Sequence, residues 1–258
     1  MKHNDLTNKT ILITGATSGI GEACAHHFAK LNAKILVCAR REERLRKLVS
    51  ELQKKYKVNA KYLTLDIANK KAVIDSFEKL EPEWKNIDIL INNAGTARGF
   101  QKLHEGKLDD WDAMIDINLK GLLYVTRQVL PGMVARNQGH VINVGSVAGH
   151  EVYANGTVYA STKHAVNAIT KALRLDLFGT KIRVTTVDPG LVETEFSLVR
   201  FKGDQQKAKD FYAGLTPLTA DDVADSILYC ASCPAHVNIS ELIIMPTDQA
   251  NITTVNRK

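Results

Sequence analysis

The sequence has no apolar stretch approaching the roughly 20 residues that span a bilayer, so it offers no candidate transmembrane helix. It also lacks any run of five or more lysines and arginines. The densest basic stretch, Arg40 to Lys47, is interrupted by Glu42 and Glu43 and reads as the solvated face of a helix. The net charge of +6 therefore suits an anionic small ligand and falls short of a nucleic-acid surface. Cysteine is scarce: Cys24, Cys38, Cys230 and Cys233. The last two form a lone Cys-x-x-Cys on an amphipathic pattern, with no second cysteine or histidine pair to complete a metal set. Structural thiols and no metal are expected, in a cytoplasmic protein. The polar Met1 to Lys9 leads directly into an apolar run, so no signal peptide is expected either. No repeat, low-complexity tract or Pro/Gly linker divides the chain, which predicts one domain over residues 1–258.

What is present is an alternation of short apolar runs and longer helical patterns. Strands are predicted at Thr10–Thr14, Lys34–Cys38, Ala60–Leu65, Asp88–Asn92, His140–Gly145, Arg183–Val187 and Leu242–Met245. Apolar spacings of three and four predict helices over Ile20–Leu31, Glu42–Tyr56, Lys70–Leu80, Trp111–Val134, Val158–Phe178 and Ala220–Cys230. Short, continuously apolar strands imply a sheet covered on both faces. Strand–helix alternation makes that sheet parallel, with right-handed crossovers. The expected architecture is α/β: a single-domain, Rossmann-like, doubly wound parallel sheet of about seven strands.

One region breaks the rhythm. From about residue 190 to 217 no strand is evident, and Arg200, Lys202, Lys207 and Lys209 are interspersed with Phe196, Phe201, Phe211 and Tyr212. An excursion at the C-terminal end of a strand is where such folds build a substrate site, so a lid is predicted; the plainer reading is a surface insertion.

The first strand runs into Gly15, Ala16, Thr17, Ser18, Gly19, Ile20 and Gly21, then a helix. Glycines at 15, 19 and 21 permit a tight turn and close approach of a ligand. The helix N-terminus beyond them presents free N–H groups to a diphosphate. The second strand ends in Cys38-Ala39-Arg40-Arg41, without the acid that would hold a ribose 2′-hydroxyl. Arg40 and Arg41 suit a 2′-phosphate, which favours NADP, although helix-start surface charge would look the same. Asp66, followed by Ile67, closes the third strand. Its carboxylate could accept from an adenine amino group or cap the next helix, a task Asn69 could also serve. Asn93, Ala94 and Gly95 end the fourth strand and suit backbone approach to a ribose.

Tyr159 and Lys163 lie four apart and so share a helix face. Lowering a phenol from its usual pKa near 10 to about 7 takes roughly 4 kcal/mol, to which a neighbouring ammonium and a cationic ligand can contribute. Ser146, thirteen residues earlier, is a candidate donor to a carbonyl or alcohol oxygen.

In register, Thr14-Gly-x-x-x-Gly-x-Gly21, Asn92-Asn-Ala-Gly95, Asn118, Ser146, Tyr159-x-x-x-Lys163 and Pro189-Gly190 resemble the short-chain dehydrogenase/reductase family over nearly the whole chain. Further stretches resemble its NADP-dependent 3-hydroxy acid dehydrogenase branch. These are Trp84 through Gly95, Leu130-Pro-Gly-Met-Val134, Gly190 through Asp204, and Pro234-Ala-His-Val-Asn-Ile239. Arg98 departs from the apolar residue expected there. The resemblance implies hydride transfer between NADP and a small hydroxy acid, with Tyr159 exchanging the proton and Ser146 holding the oxygen. It gives Lys163 the nicotinamide ribose as well as the phenol, and Asn118 a water joining Lys163 to solvent. It places Pro189, Gly190, Val192 and Thr194 over the nicotinamide and its phosphate, and implies a homotetramer or homodimer. Arg200 and Lys202 are the candidates for a substrate carboxylate. The alternatives are a carbonyl or acyl-carrier-protein ketoreductase of the same family, or a non-catalytic dinucleotide sensor.

Overall fold

The computed structural model describes residues 5–258. Seven strands form one sheet: β1 (Thr10–Thr14), β2 (Lys34–Ala39), β3 (Ala60–Thr64), β4 (Ile89–Asn92), β5 (Gly139–Val144), β6 (Ile182–Pro189) and β7 (Glu241–Ile244). Their order is β3-β2-β1-β4-β5-β6-β7 and every pairing is parallel. The expected doubly wound architecture is what the chain adopts.

Neighbouring strand residues face opposite layers, which explains why the strands are apolar throughout. Ile11, Ile13, Ile35, Val37 and Ile91 pack on one face against α1 (Gly19–Ala29), α2 (Glu42–Tyr56) and α10 (Ala220–Ser232). Leu12, Leu36, Leu90, Val141 and Val184 pack on the other. There they meet α3 (Lys70–Glu78), the short α4 (Pro82–Lys85), α6 (Leu122–Arg136) and α7 (Thr157–Asp176). Cys24, Cys38, Cys230 and Cys233 are all buried, with Cys233 just past the end of α10. Burial pushes the Cys38 and Cys230 thiols up to about 12, which suits packing rather than redox work.

Most predicted boundaries agree with the elements to within two residues. The helix predicted over Trp111–Val134 is instead three pieces: α5 (Leu108–Ile115), a π-helical turn at Asp116–Gly121, and α6. The widened turn brings Asn118 inward, where its amide donates to the Thr96 carbonyl at 2.9 Å and to Thr162 Oγ1 at 3.0 Å. Gly121 lies against Ile67, whose Cγ1 would be 2.7 Å from an added Cβ. Apolar periodicity continues across such a turn, so the sequence pattern does not reveal it.

The region predicted as a lid contains two short helices, α8 (Glu195–Arg200) and α9 (Gln205–Asp210). Each begins on a side-chain cap: Thr194 accepts from the Phe196 N–H, and Asp204 from the Lys207 N–H. The segment is tied at its base by a parallel bridge between Val192 and Leu218. The C-terminal tail straps it from outside, with Lys258 N–H to the Gly214 carbonyl at 2.8 Å and Thr216 N–H to Asp248 at 2.9 Å.

Candidate active site

Strand order reverses between β1 and β4, the position in such a sheet where a crevice forms outside the C-terminal strand ends. A cleft of about 760 Å³ opens there, running from the Gly-rich loop past Ser146, Tyr159 and Lys163 to the lid and the C-terminal tail. The loop is shaped for close approach. Gly15 has φ +67°, and a Cβ there would fall 2.8 Å from Ala94 Cα. Asn93 fixes the loop by donating to the Thr14 and Gly15 carbonyls at 2.9 and 3.1 Å. Its amide is thus structural, and Ala94 and Gly95 are left to face the cleft.

Gly15, Thr17, Ser18, Gly19 and Ile20 line the cleft, as do Arg40, Arg41, Asp66, Ile67, Asn93, Pro189, Gly190, Val192 and Thr194. Ala16 and Gly21, expected beside them, lie behind the loop and outside the lining. Ala16 is fully buried in the core, and a Cβ on Gly21 would fall 2.5 Å from Asn93 Nδ2. Both are placed to shape the turn. Asp66 accepts from the Ala68 N–H, whereas the α3 cap is Asn69, which accepts from the Ala72 N–H at 3.0 Å. This leaves the second Asp66 oxygen for the cleft.

Arg40 is exposed at the cleft mouth, with no side-chain partner among the described residues. Arg41 folds onto the loop, donating to Thr17 Oγ1 and Ser18 Oγ at 2.9 Å each. Its other guanidinium nitrogen meets Glu195 at 2.9 Å, and Arg44 meets the same carboxylate at 2.8 Å. Neither Arg44 nor Glu195 stood out in the sequence, because pairing across 151 residues leaves no local pattern. A dinucleotide with a phosphorylated ribose fits this end: glycines give it room, and arginines surround the mouth.

At the other end, β5 delivers Ser146 and the first turns of α7 deliver Tyr159 and Lys163. Lys163 is buried, and its ammonium donates to the Val144 carbonyl at 2.9 Å. Burial lowers its pKa to about 8, with the Asp188 charge opposing. Asp188 is itself fully buried; it accepts from the Ser146 N–H at 3.1 Å and faces His150 Nε2 at 3.0 Å. It thereby fixes the start of the Ser146 turn. Because the folded pKa of Lys163 lies below its unfolded value, stability rises with pH between about 8 and 10.5 and is level on either side. The stability difference between the native protein and Lys163→Met should therefore shift by about 3 kcal/mol across that window, in the native protein's favour. Urea unfolding of both at pH 7 and pH 10.5 measures it, and an unchanged difference would contradict the lowered pKa.

Tyr159 departs from expectation. Burial raises its phenol above the ordinary value, against the Arg200 charge and a hydrogen bond with Ser146. Lys163 does not reverse this, since its ammonium is turned to Val144 and lies 5.9 Å from the ring centroid. The nearer cation is Arg200, with its guanidinium carbon 5.0 Å from the same centroid. Arg200 is buried, is the last residue of α8, and donates to the Tyr153 hydroxyl at 3.2 Å. Lys202, its partner in the sequence reading, is outside the cleft lining. With φ +55° it turns away and pairs with Asp110 at 2.6 Å. Asn118 also lies behind the cleft wall, its amide spent on Thr96 and Thr162. Phe196 and Tyr212 of the predicted lid line the substrate end around Tyr159 and Arg200, together with Tyr153, which the sequence reading missed. Tyr153 lies in the loop before α7, where no helical or strand period marks it.

A parallel sheet with this crevice, a glycine turn after β1 and a Ser–Tyr–Lys group at the mouth defines a dinucleotide-dependent oxidoreductase. The sequence profile of short chain dehydrogenases matches residues 9–204, and the chain belongs to that family. It is 46% identical over 241 residues to the NADP-dependent 3-hydroxy acid dehydrogenase YdfG of Salmonella typhi, covering 93% of this chain and 96% of that one. Against the NADP-dependent 3-hydroxy acid dehydrogenase of Schizosaccharomyces pombe it is 44% identical over 254 residues, or 98% of each chain. The closed form of a serine dehydrogenase complexed with NADP+ superposes with a TM-score of 0.89 at 47% identity, covering 93% of this chain and 96% of that one.

Proposed function

We propose that this NADP-dependent oxidoreductase of CH–OH groups interconverts small 3-hydroxy acids, serine and allo-threonine among them, and their 3-oxo acids. The observation that carries the substrate class is Arg200: a buried guanidinium with no carboxylate partner among the described residues, stacked beside Tyr159. A buried charge of this kind requires a counter-charge, and a planar fork matches a carboxylate. A 3-hydroxy acid whose carboxylate met Arg200 would place its hydroxyl, carried on the carbon two bonds from the carboxylate carbon, at Tyr159 and Ser146. A neutral carbonyl or a long carrier-borne chain leaves that guanidinium unanswered.

Bound NADP supplies the hydride acceptor or donor and, when oxidised, a positive ring near the phenol. Arg40, Arg41 and the loop glycines hold its adenosine half, while Gly95, Lys163 and Pro189 face the nicotinamide half. In oxidation, Tyr159 Oη as phenolate takes the hydroxyl proton while the Ser146 hydroxyl donates to the substrate oxygen. In reduction Tyr159 returns the proton. Lys163 keeps a positive charge beneath the site, and Asn118 holds the π-turn wall in place. Phe196 and the lid exclude water around the reacting carbon.

The proposed assembly is a homotetramer or homodimer. Leu108, Ile115 and Leu123 near the α5–α6 junction, and Leu175 and Phe178 at the end of α7, are exposed apolar side chains that support it. No helix among the described residues is long and apolar enough to cross a membrane, and a cytoplasmic location is proposed. The direct test is a panel of serine and threonine isomers, other 3-hydroxy acids and their neutral alcohol counterparts, followed by NADPH absorbance. Activity is expected on the acids; turnover confined to the neutral alcohols would overturn the assignment.

A further inference from the structure

Helix α7 presents Lys163, Asn167 and Lys171 four residues apart, and so on one face. Lys163 donates to the Val144 carbonyl, Asn167 Nδ2 donates to the Gly149 carbonyl at 3.1 Å, and Lys171 lies 3.8 Å from Glu241 of β7. Asn167 Nδ2 also lies 3.2 Å from His150 Nε2. The fully buried Asp188 divides its carboxylate: Oδ1 accepts from the Ser146 N–H at 3.1 Å, and Oδ2 faces His150 Nε2 at 3.0 Å. Ser146 opens the 3₁₀ turn Val147–Gly149 and His150 closes it, so one carboxylate grips both ends of the same turn. Gly145 makes room for that grip, since a Cβ there would overlap Asp188 Oδ1. Within the turn Ser146 Oγ accepts from the Ala148 N–H at 3.1 Å, which leaves the hydroxyl proton for a substrate oxygen.

We propose that His150 is a positioning residue: through Asp188 it holds the turn that presents the Ser146 hydroxyl, and it keeps an anion beside Lys163. This rests on the roles given above to Ser146, Tyr159 and Lys163. A carboxylate with no exposure stays ionised only where its partners compensate for lost hydration. Burial pushes the Asp188 carboxyl up, and the hydrogen bond with His150 is foremost among the influences that draw it back. Without the imidazole, Asp188 keeps its proton to higher pH. Lys163, which burial already lowers to about 8, then loses the charge that opposes that fall. The cation beneath Tyr159 and the turn carrying Ser146 weaken together. The other charged groups facing the pair are Glu241 of β7, 4.0 Å from His150 Nε2, and Lys171 of α7, whose opposite charge offsets it.

The test uses the full chain with NADP and the best acid of the panel, with kcat for oxidation followed across pH. His150→Leu should lower kcat about ten-fold at pH 7, the scale of one lost hydrogen bond to a charged group. KM for the acid and for NADP should stay within about two-fold. The loss should close as pH rises, because Asp188 ionises again and the rise of kcat with pH is only displaced. His150→Gln, whose amide donates from near the Nε2 position, should recover most of kcat and the native profile. Asp188→Asn should show the same loss at pH 7 even if the leucine variant fails to fold, and adding His150→Gln to it should cost nothing further. Glu241→Gln should leave the profile unchanged. A merely structural role would lower kcat by one factor at every pH. That result, native turnover in His150→Leu or Asp188→Asn, no recovery in His150→Gln, or an equal loss in Glu241→Gln overturns the proposal. If Tyr159→Phe also keeps near-native kcat, the proton step assigned to this site falls with it; if Tyr159→Phe loses turnover, only the role of His150 does.

Discussion

Tyr159→Phe should lower kcat about 10³-fold in both directions while leaving NADP affinity, read by quenching of protein fluorescence, within a factor of about two. The substitution removes one oxygen and keeps the ring against Phe196 and Arg200, so the fold and the lid contacts persist. What is lost is the phenol hydroxyl that shares a hydrogen bond with Ser146. Steady-state and single-turnover kinetics with the best acid of the panel would measure it, and near-native kcat would remove Tyr159 from the proton step. The raised phenol pKa adds a sign. Below that pKa only a small fraction is phenolate, so the oxidation rate should rise with pH through the neutral range. The reduction rate, which uses the phenol, should be flat over the same range and fall only at higher pH.

The second large effect is expected at Arg200. Arg200→Met should cost about 10²–10³-fold in kcat/KM for acid substrates, since truncating one partner of a buried charge pair costs several kcal/mol. The loss should appear mainly in KM, because the carboxylate is held equally in the ground and transition states. Neutral alcohols should change little, which separates lost recognition from a displaced Tyr159. Arg200→Lys should fall between, keeping the charge but not the two-pronged fork. Equal losses on acids and neutral alcohols would assign Arg200 to holding the tyrosine instead.

Arg200 and Lys202 also show where sequence reasoning reaches its limit. Both are basic, two apart, among aromatics. Only the helical phase of α8 and the left-handed turn at Lys202 decide that one is buried by Tyr159 and the other is bound to Asp110. The strands were legible because burial on both faces leaves continuous apolar runs. The loop glycines, Ser146, Tyr159 and Lys163 were legible because local chemistry dictates their spacing. Lost to view were side chains paired across the fold: Glu195 on Arg41 and Arg44, and Asp188 under Ser146. The placing of the Lys163 ammonium was hidden for the same reason. Residue spacing put Lys163 beside the phenol, but the ammonium's nearest acceptor is a carbonyl of β5.

The parallel sheet has a bearing on how the chain comes to possess a cleft at all. With no hairpin in it, each pairing joins segments separated by a helix or more, and such topologies fold slowly. The crevice exists only once β4 has aligned with β1, Ile13 opposite Ile91, although β4 enters after three whole strand–helix units. A partly assembled chain therefore offers a dinucleotide nothing to grip. Cofactor in the surroundings draws the population toward the finished sheet by mass action and does not rescue intermediates along the way.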